Sequence, residues 1–169
     1  NQRLGQATRR GYRIAISLFK QMRCIGIDYG ERRVGLSYGD EIGVATPVDA
    51  AVQDFEFERI DYLVKLARDR EATDLVIGYP YNMDGSVGFK AKEVDAFIEK
   101  ILAKIDLPIH RVDERLTSHV ASEGFSKKRD DALRRSGKID SAAAALILQD
   151  FLDQRVALPE HDPYENEEQ

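Results

Sequence analysis

Three acidic residues stand where regular elements end or begin, far apart in the chain: Asp28 in the apolar run RCIGIDYG, Glu114 at the close of LPIHRVDER, and Asp140 at the head of IDSAAAALILQDFL. A carboxylate held against apolar segments is costly unless something positive neutralises it. A bound divalent metal ion is the economical source of that charge, so these residues point to a metal-dependent enzyme. Each acid also has a plainer reading. Asp28 sits in a Gly-x-Asp-x-Gly string that could be a strand closing on a glycine turn. Asp140 could cap a helix and complement its dipole. Asp113 and Glu114 are adjacent, and successive strand side chains face opposite ways, so a regular strand cannot aim both at one site. Glu114, at the strand end, is the preferred ligand and Asp113 the alternative; a surface ion pair with Arg115 is the plain reading of this segment.

The elements that must position these acids follow from patterning. RCIGIDYG, RRVGLSYGD and EIGVATPVDA read as three short strands with tight connections, hence antiparallel, with Pro47 expected toward the end of the third. Residues 54–71 place Phe57, Ile60, Leu63, Val64 and Ala67 at helical spacing, and FKAKEVDAFIEKILAKI does the same with Phe89, Val94, Phe97, Ile98 and Ile101. TDLVIGYP and LPIHRVDE are further strands, LTSHVASEGF opens a helix, and IDSAAAALILQDFLDQ is a last helix rich in Ala and Leu. Strands separated by helices pair in parallel through right-handed crossovers. The expected fold is α/β: a mixed five-stranded sheet, three antiparallel strands followed by parallel ones, with helices on both faces. His110 falls in a strand pattern and His119 in a helical one, and both read as structural.

Length and composition bound the rest. With 169 residues, 43% hydrophobic and 33% charged, the chain suits one compact domain with its own core. The single cysteine, Cys24, excludes an internal disulfide and a cysteine metal site, and fits a reducing, cytoplasmic setting. No apolar run is long enough for a membrane span. The net charge of −5 is unevenly spread: residues 1–23 carry +6 and the remainder −11. Residues 1–21 read as an N-terminal extension outside the fold, 22–155 as the folded domain, and 156–169 as an acidic tail. The segment SKKRDDALRRSGK, residues 126–138, gathers Lys127, Lys128, Arg134, Arg135 and Lys138 just ahead of Asp140. With Arg32 and Arg33 after Asp28 and Arg115 after Glu114, basic residues recur beside every acid, as contacts to a phosphate backbone would require. Asn82, Asp84 and Ser86 read first as turn formers.

The four segments CIGIDYGERRVGLSYGD, VIGYPYNMDGSVGFKAKEV, VDERLTS and KIDSAAAALIL, in this order and spacing, resemble the YqgF/RuvX family of bacterial ribonuclease H-like proteins across residues 23–152. The departures are small: Ser118 stands where a second threonine is usual, Ile139 where valine is common, and the N-terminal extension has no counterpart. The resemblance implies a ribonuclease H-like nuclease fold. It implies an acidic trio of Asp28, the pair Asp113–Glu114, and Asp140, and a role in maturing the small-subunit ribosomal RNA precursor, with pre-ribosomal particles as partners. Holliday-junction resolution is the competing assignment, with DNA as substrate. Hard oxygen ligands select Mg²⁺ or Mn²⁺, and two ions would serve phosphodiester hydrolysis, with Asp28 bridging both and Glu114 and Asp140 each holding one. Two rivals stand beside this expectation. An actin-like ATPase or sugar kinase shares the Gly-x-Asp-x-Gly strand but needs two such domains, and a ribosome-assembly factor could bind RNA without cutting it. A monomer and a homodimer both suit the sequence.

Overall fold

The computed structural model describes residues 22–116 and 136–156. The N-terminal extension, the helix expected from LTSHVASEGF beyond Leu116, His119, the basic residues Lys127, Lys128, Arg134 and Arg135, and the acidic tail beyond Val156 lie outside the described residues.

Five strands form one sheet: β1 (Cys24–Tyr29), β2 (Val34–Gly39), β3 (Thr46–Ala51), β4 (Asp74–Tyr79) and β5 (Ile109–Asp113), in the spatial order β3-β2-β1-β4-β5. The first three pair antiparallel as a meander, and β1–β4 and β4–β5 pair in parallel. The expected mixed sheet is therefore the observed one. Pro47 is placed differently from expectation, as the second residue of β3. Residues after β2 first make a turn in which Gly43 takes a positive φ of 80° and donates its N–H to Asp40 O, so the strand starts late. An edge strand tolerates proline because one side of its ladder is unpaired.

Alternation divides the sheet. Ile25 and Ile27 of β1, Val34 and Leu36 of β2, and Leu75 and Ile77 of β4 face one way. They pack under α1 (Glu56–Asp69) and α2 (Phe89–Leu102), whose Ile60, Leu63, Phe97 and Ile101 are buried in the same cluster. Cys24, Val76 and Val112 face the other way, against Ile147, Leu148, Phe151 and Leu152 of α3 (Lys138–Val156). Helices thus cover both faces. Burying side chains such as Leu148 and Leu152 stabilises that second layer by roughly 1.5–3 kcal/mol each. Phe57 and Phe89, expected in the apolar stripes, are 59% and 74% exposed. Each lies in the first turn of its helix, where side chains lean toward the N-terminus and overhang the core. Arg59 is buried in place of Phe57, and its guanidinium donates to the carbonyls of Gln53, Asp54 and Glu31.

The helix α3 is seated on β1 and β2 by close contacts rather than by bulk. A pairing irregularity between Val34 and Leu36 lies in the β2–β3 ladder. There the Leu36 N–H donates to the buried Ser141 Oγ at 3.2 Å, and Ser37 Oγ donates to Ala144 O at 2.9 Å. Gly35 permits the nearest approach: a Cβ at that position would stand 2.0 Å from the Asp140 carbonyl oxygen. The first turn of α3 can therefore lie directly on β2 only because residue 35 has no side chain.

Candidate active site

Asp28 is the fifth residue of β1, on the central strand and on the face covered by α3. Its register partner on β2 is Gly35, the residue on which the start of α3 rests, so the carboxylate opens directly beneath Asp140. Burial raises the Asp28 pKa from 3.8 to about 7, and the charges of Glu114 and then Asp140 push in the same direction. Among the described residues no hydrogen bond reaches the Asp28 carboxylate to offset this. The half-buried acid is thus held where its own ionisation is unfavourable unless a cation joins it.

Asp113 and Glu114 part company at the end of β5. Asp113 is the last strand residue and is paired across to Tyr79. Its carboxylate is taken by Arg115, through Nε at 2.9 Å and Nη2 at 2.5 Å, and this contact lowers its pKa. Glu114 begins a 3-10 turn, Glu114–Leu116, which breaks the alternation and swings its side chain over β4. Its carboxylate lies where a Cβ on Gly78 would be, 2.2 Å from Oε1, with Ile147 of α3 at the same spot. Gly78 follows Ile77, the register partner of Ile27, so Glu114 comes down beside Asp28. Burial raises the Glu114 pKa, with the Asp113 charge adding to it. The plain reading of this segment, a surface pair with Arg115, holds for Asp113.

Asp140 is in the first turn of α3, where a negative charge complements the helix dipole. Its carboxylate has a partner outside the helix. It accepts from Arg33 Nε at 2.9 Å, in an ion pair whose side chains are 32% and 29% exposed. Counting back from inward-facing Val34, Arg33 falls on the face of Asp28, whereas Arg32 is exposed to solvent. Of the basic residues expected at the site, Lys138 is exposed at the start of α3 and Arg115 is committed to Asp113 while also reaching the Asn82 and Met83 carbonyls. His110 bonds Asp74 Oδ1 at 2.7 Å and packs on Phe151 at the opposite end of the sheet, a structural role. Asn82, Asp84 and Ser86 bond one another and shape their loop.

The donor set is all carboxylate oxygen, which suits a hard divalent cation such as Mg²⁺ or Mn²⁺. Asp28 and Glu114 fit such an ion in type, burial and excess negative charge. Asp140 fits in type and position, but its carboxylate is engaged by Arg33. Among the described residues no three acidic, histidine or cysteine side chains stand close enough to share an ion as they are. Patterning did not single out Gly35 or Arg59, and it marks Gly78 as a strand stop, whereas Gly78 lies within β4. The buried Arg59 was detectable in principle, since it precedes Leu63 by four residues on the apolar stripe of α1.

A family model described as "RuvX: Holliday junction resolvase" matches residues 22–154. A relative from Opitutus terrae, named "Putative pre-16S rRNA nuclease", is 54% identical over 147 residues, covering 85% of this chain and all of the relative. Relatives of the same name from Trichormus variabilis and from Anaeromyxobacter sp. are 37% and 38% identical. They cover 80% and 79% of this chain, and 91% and 98% of their own lengths. Among solved structures, T. thermophilus RuvC in complex with a Holliday junction substrate superposes with a TM-score of 0.50 at 13% identity, over 80% of this chain and 96% of that one. That likeness is one of fold, the ribonuclease H-like arrangement of sheet and helices.

Proposed function

The chain belongs to the RuvX family of nucleases, and from that premise we propose that it hydrolyses phosphodiester bonds in the precursor of 16S ribosomal RNA, at its 5′ end, with Mg²⁺ or Mn²⁺. The observation that carries the reading is Asp28, a carboxylate on the central strand whose proton is held to about pH 7 by burial and by two further acids. Asp28, Glu114 and Asp140 would hold the divalent ions. Such ions would supply an activated water and neutralise charge on the scissile phosphate. The chain's own part is to fix the separation of the three carboxylates. β1 sets Asp28, the turn over Gly78 sets Glu114, and the seat on Gly35 sets Asp140. Lys138, exposed beside Asp140, and Arg32, exposed after Asp28, are suited to the phosphates flanking the cut. Lys127, Lys128, Arg134 and Arg135 extend that positive run in sequence, and Arg115 serves from the β5 side. With its lone cysteine buried and free, the protein suits the reducing cytoplasm, where pre-ribosomal particles are its partners.

The deciding experiment compares single-stranded RNA spanning the precursor 5′ end with matched single-stranded DNA and four-way junctions, in Mg²⁺ or Mn²⁺. Asp28→Asn should abolish cleavage of the RNA. Equal traces from wild type and Asp28→Asn would mean contamination and leave a non-catalytic RNA-binding factor. A preference for the junction would move the assignment to resolvase, which the family description favours. Replacing Lys127, Lys128, Arg134 and Arg135 by Ala should weaken nucleic-acid binding and flatten its salt dependence, and an unchanged slope rejects a phosphate role for that segment.

A further inference from the structure

The Arg33–Asp140 ion pair has a geometry that a solvent-exposed surface pair lacks. The turn that carries Arg33 is clamped at several points. Arg59, itself buried, donates Nη2 to the Glu31 carbonyl at 2.8 Å, and Lys90 pairs with the Glu31 carboxylate at 3.0 Å. Gly30 lies so close to the Arg33 carbonyl that a Cβ there would be 2.6 Å from it. On the other side, Asp140 is fixed by the contact of its backbone with Gly35 and by the Ser141 and Ala144 contacts to β2. Both partners are therefore presented to each other by rigid elements, and the guanidinium comes to the edge of a group of three carboxylates that needs positive charge.

We propose that Arg33 is a built-in counter-cation that competes with the divalent ion for Asp140. The inference rests on the reading of Asp28, Glu114 and Asp140 as the metal-holding acids. In the ion-free protein Arg33 neutralises Asp140 and holds its carboxylate. Loading the ion requires Asp140 to leave the guanidinium, which sets Arg33 free on the face where the substrate phosphate must lie. Arg33 is a positioning residue in this scheme: it acts through Asp140 and sets how readily the third ligand is delivered.

The test is calorimetric titration of Mn²⁺ into the full chain without nucleic acid, for wild type, Arg33→Met and Arg33→Lys. Removing a half-exposed ion pair that must otherwise be broken should tighten Mn²⁺ binding roughly threefold or more in Arg33→Met. Arg33→Lys, which keeps the charge, should stay close to wild type, and adding Asp28→Asn to Arg33→Met should abolish the binding. Equal or weaker affinity in Arg33→Met overturns the inference while leaving the metal reading intact. Absence of Mn²⁺ binding in both wild type and Arg33→Met overturns the metal reading and the inference with it. A second measurement needs no variant at Arg33: in wild type, the Arg33 Nε–H proton followed by NMR should be slow to exchange without metal and lose that protection on adding Mg²⁺. Protection that persists in saturating Mg²⁺ overturns the inference independently.

Discussion

Replacing Asp28 by Asn should make the ion-free protein more stable while removing its activity. The sign follows from proton linkage. In the unfolded chain Asp28 ionises near 3.8, and in the fold only near 7. Between those values the native state binds more protons than the unfolded state, so stability falls as pH rises through this window. Below it both states are protonated and there is no penalty. Above about 7 the whole penalty is present. A tenfold change in proton affinity is worth ~1.4 kcal/mol, so the shift from 3.8 to about 7 corresponds to roughly 4 kcal/mol against the ionised fold. Asparagine keeps the shape and loses the charge. Matching the protonated acid in size and neutrality, it should gain about 4 kcal/mol over wild type at pH 8.5 and close to nothing at pH 4. The assay is urea denaturation in EDTA at half-unit steps from pH 4 to 8.5, for wild type and Asp28→Asn. The two curves should converge in acid and diverge above neutrality, and saturating Mg²⁺ should close the gap by stabilising wild type alone. Parallel curves, or an Asp28→Asn protein less stable than wild type at pH 8.5 in EDTA, would refute the electrostatic account of the site.

Three further substitutions probe how the acids are held. Gly35→Ala places a methyl 2.0 Å from the Asp140 carbonyl, a backbone atom that cannot swing aside, so it should cost about 2–3 kcal/mol in urea denaturation and cleavage along with it. Gly78→Ala meets the flexible end of Glu114 at 2.2 Å, and Ile147 Cδ1 at 2.7 Å; cleavage rate should drop by an order of magnitude or more while the melting temperature falls by only a few degrees. Glu114→Gln should abolish metal-dependent cleavage and Asp113→Asn should preserve it, because Asp113 is held by Arg115 on the other side of β5; the reverse ranking in a single-turnover assay would exchange their roles.

Patterning, with alternation in VGLSYG, an apolar centre in LVIGY, tight turns between the first strands and helices between the later ones, is enough to read the meander and the parallel pairs that follow it. It fails at Phe57 and Phe89 because a stripe is counted along an ideal helix, whereas the first turn projects beyond the layer it packs on. It fails at Arg59 because charge is read as exposure, although three carbonyl acceptors satisfy this guanidinium inside. The acids of the candidate site were legible from their positions at element ends. The choice between Asp113 and Glu114 was only half legible, since alternation says that the two diverge but not which way the 3-10 turn swings. Arg33 and Arg32 look equivalent in sequence. The pairing that distinguishes them joins residues 107 positions apart and depends on where α3 comes to rest.

The seat of α3 also has a consequence for when the site comes into being during synthesis. Its contacts to β2 span sequence separations of 105 and 107 residues, so they close only after β1 to β5 and their helices have been made. A nascent chain that has released the sheet but not yet α3 carries Asp28 and Glu114 without Asp140, and an open face where Leu148 and Leu152 belong. On the proposed reading such a chain is inert toward the RNA of the ribosome that is making it. On that same reading cutting power would come with the docking of α3, together with the second layer of core.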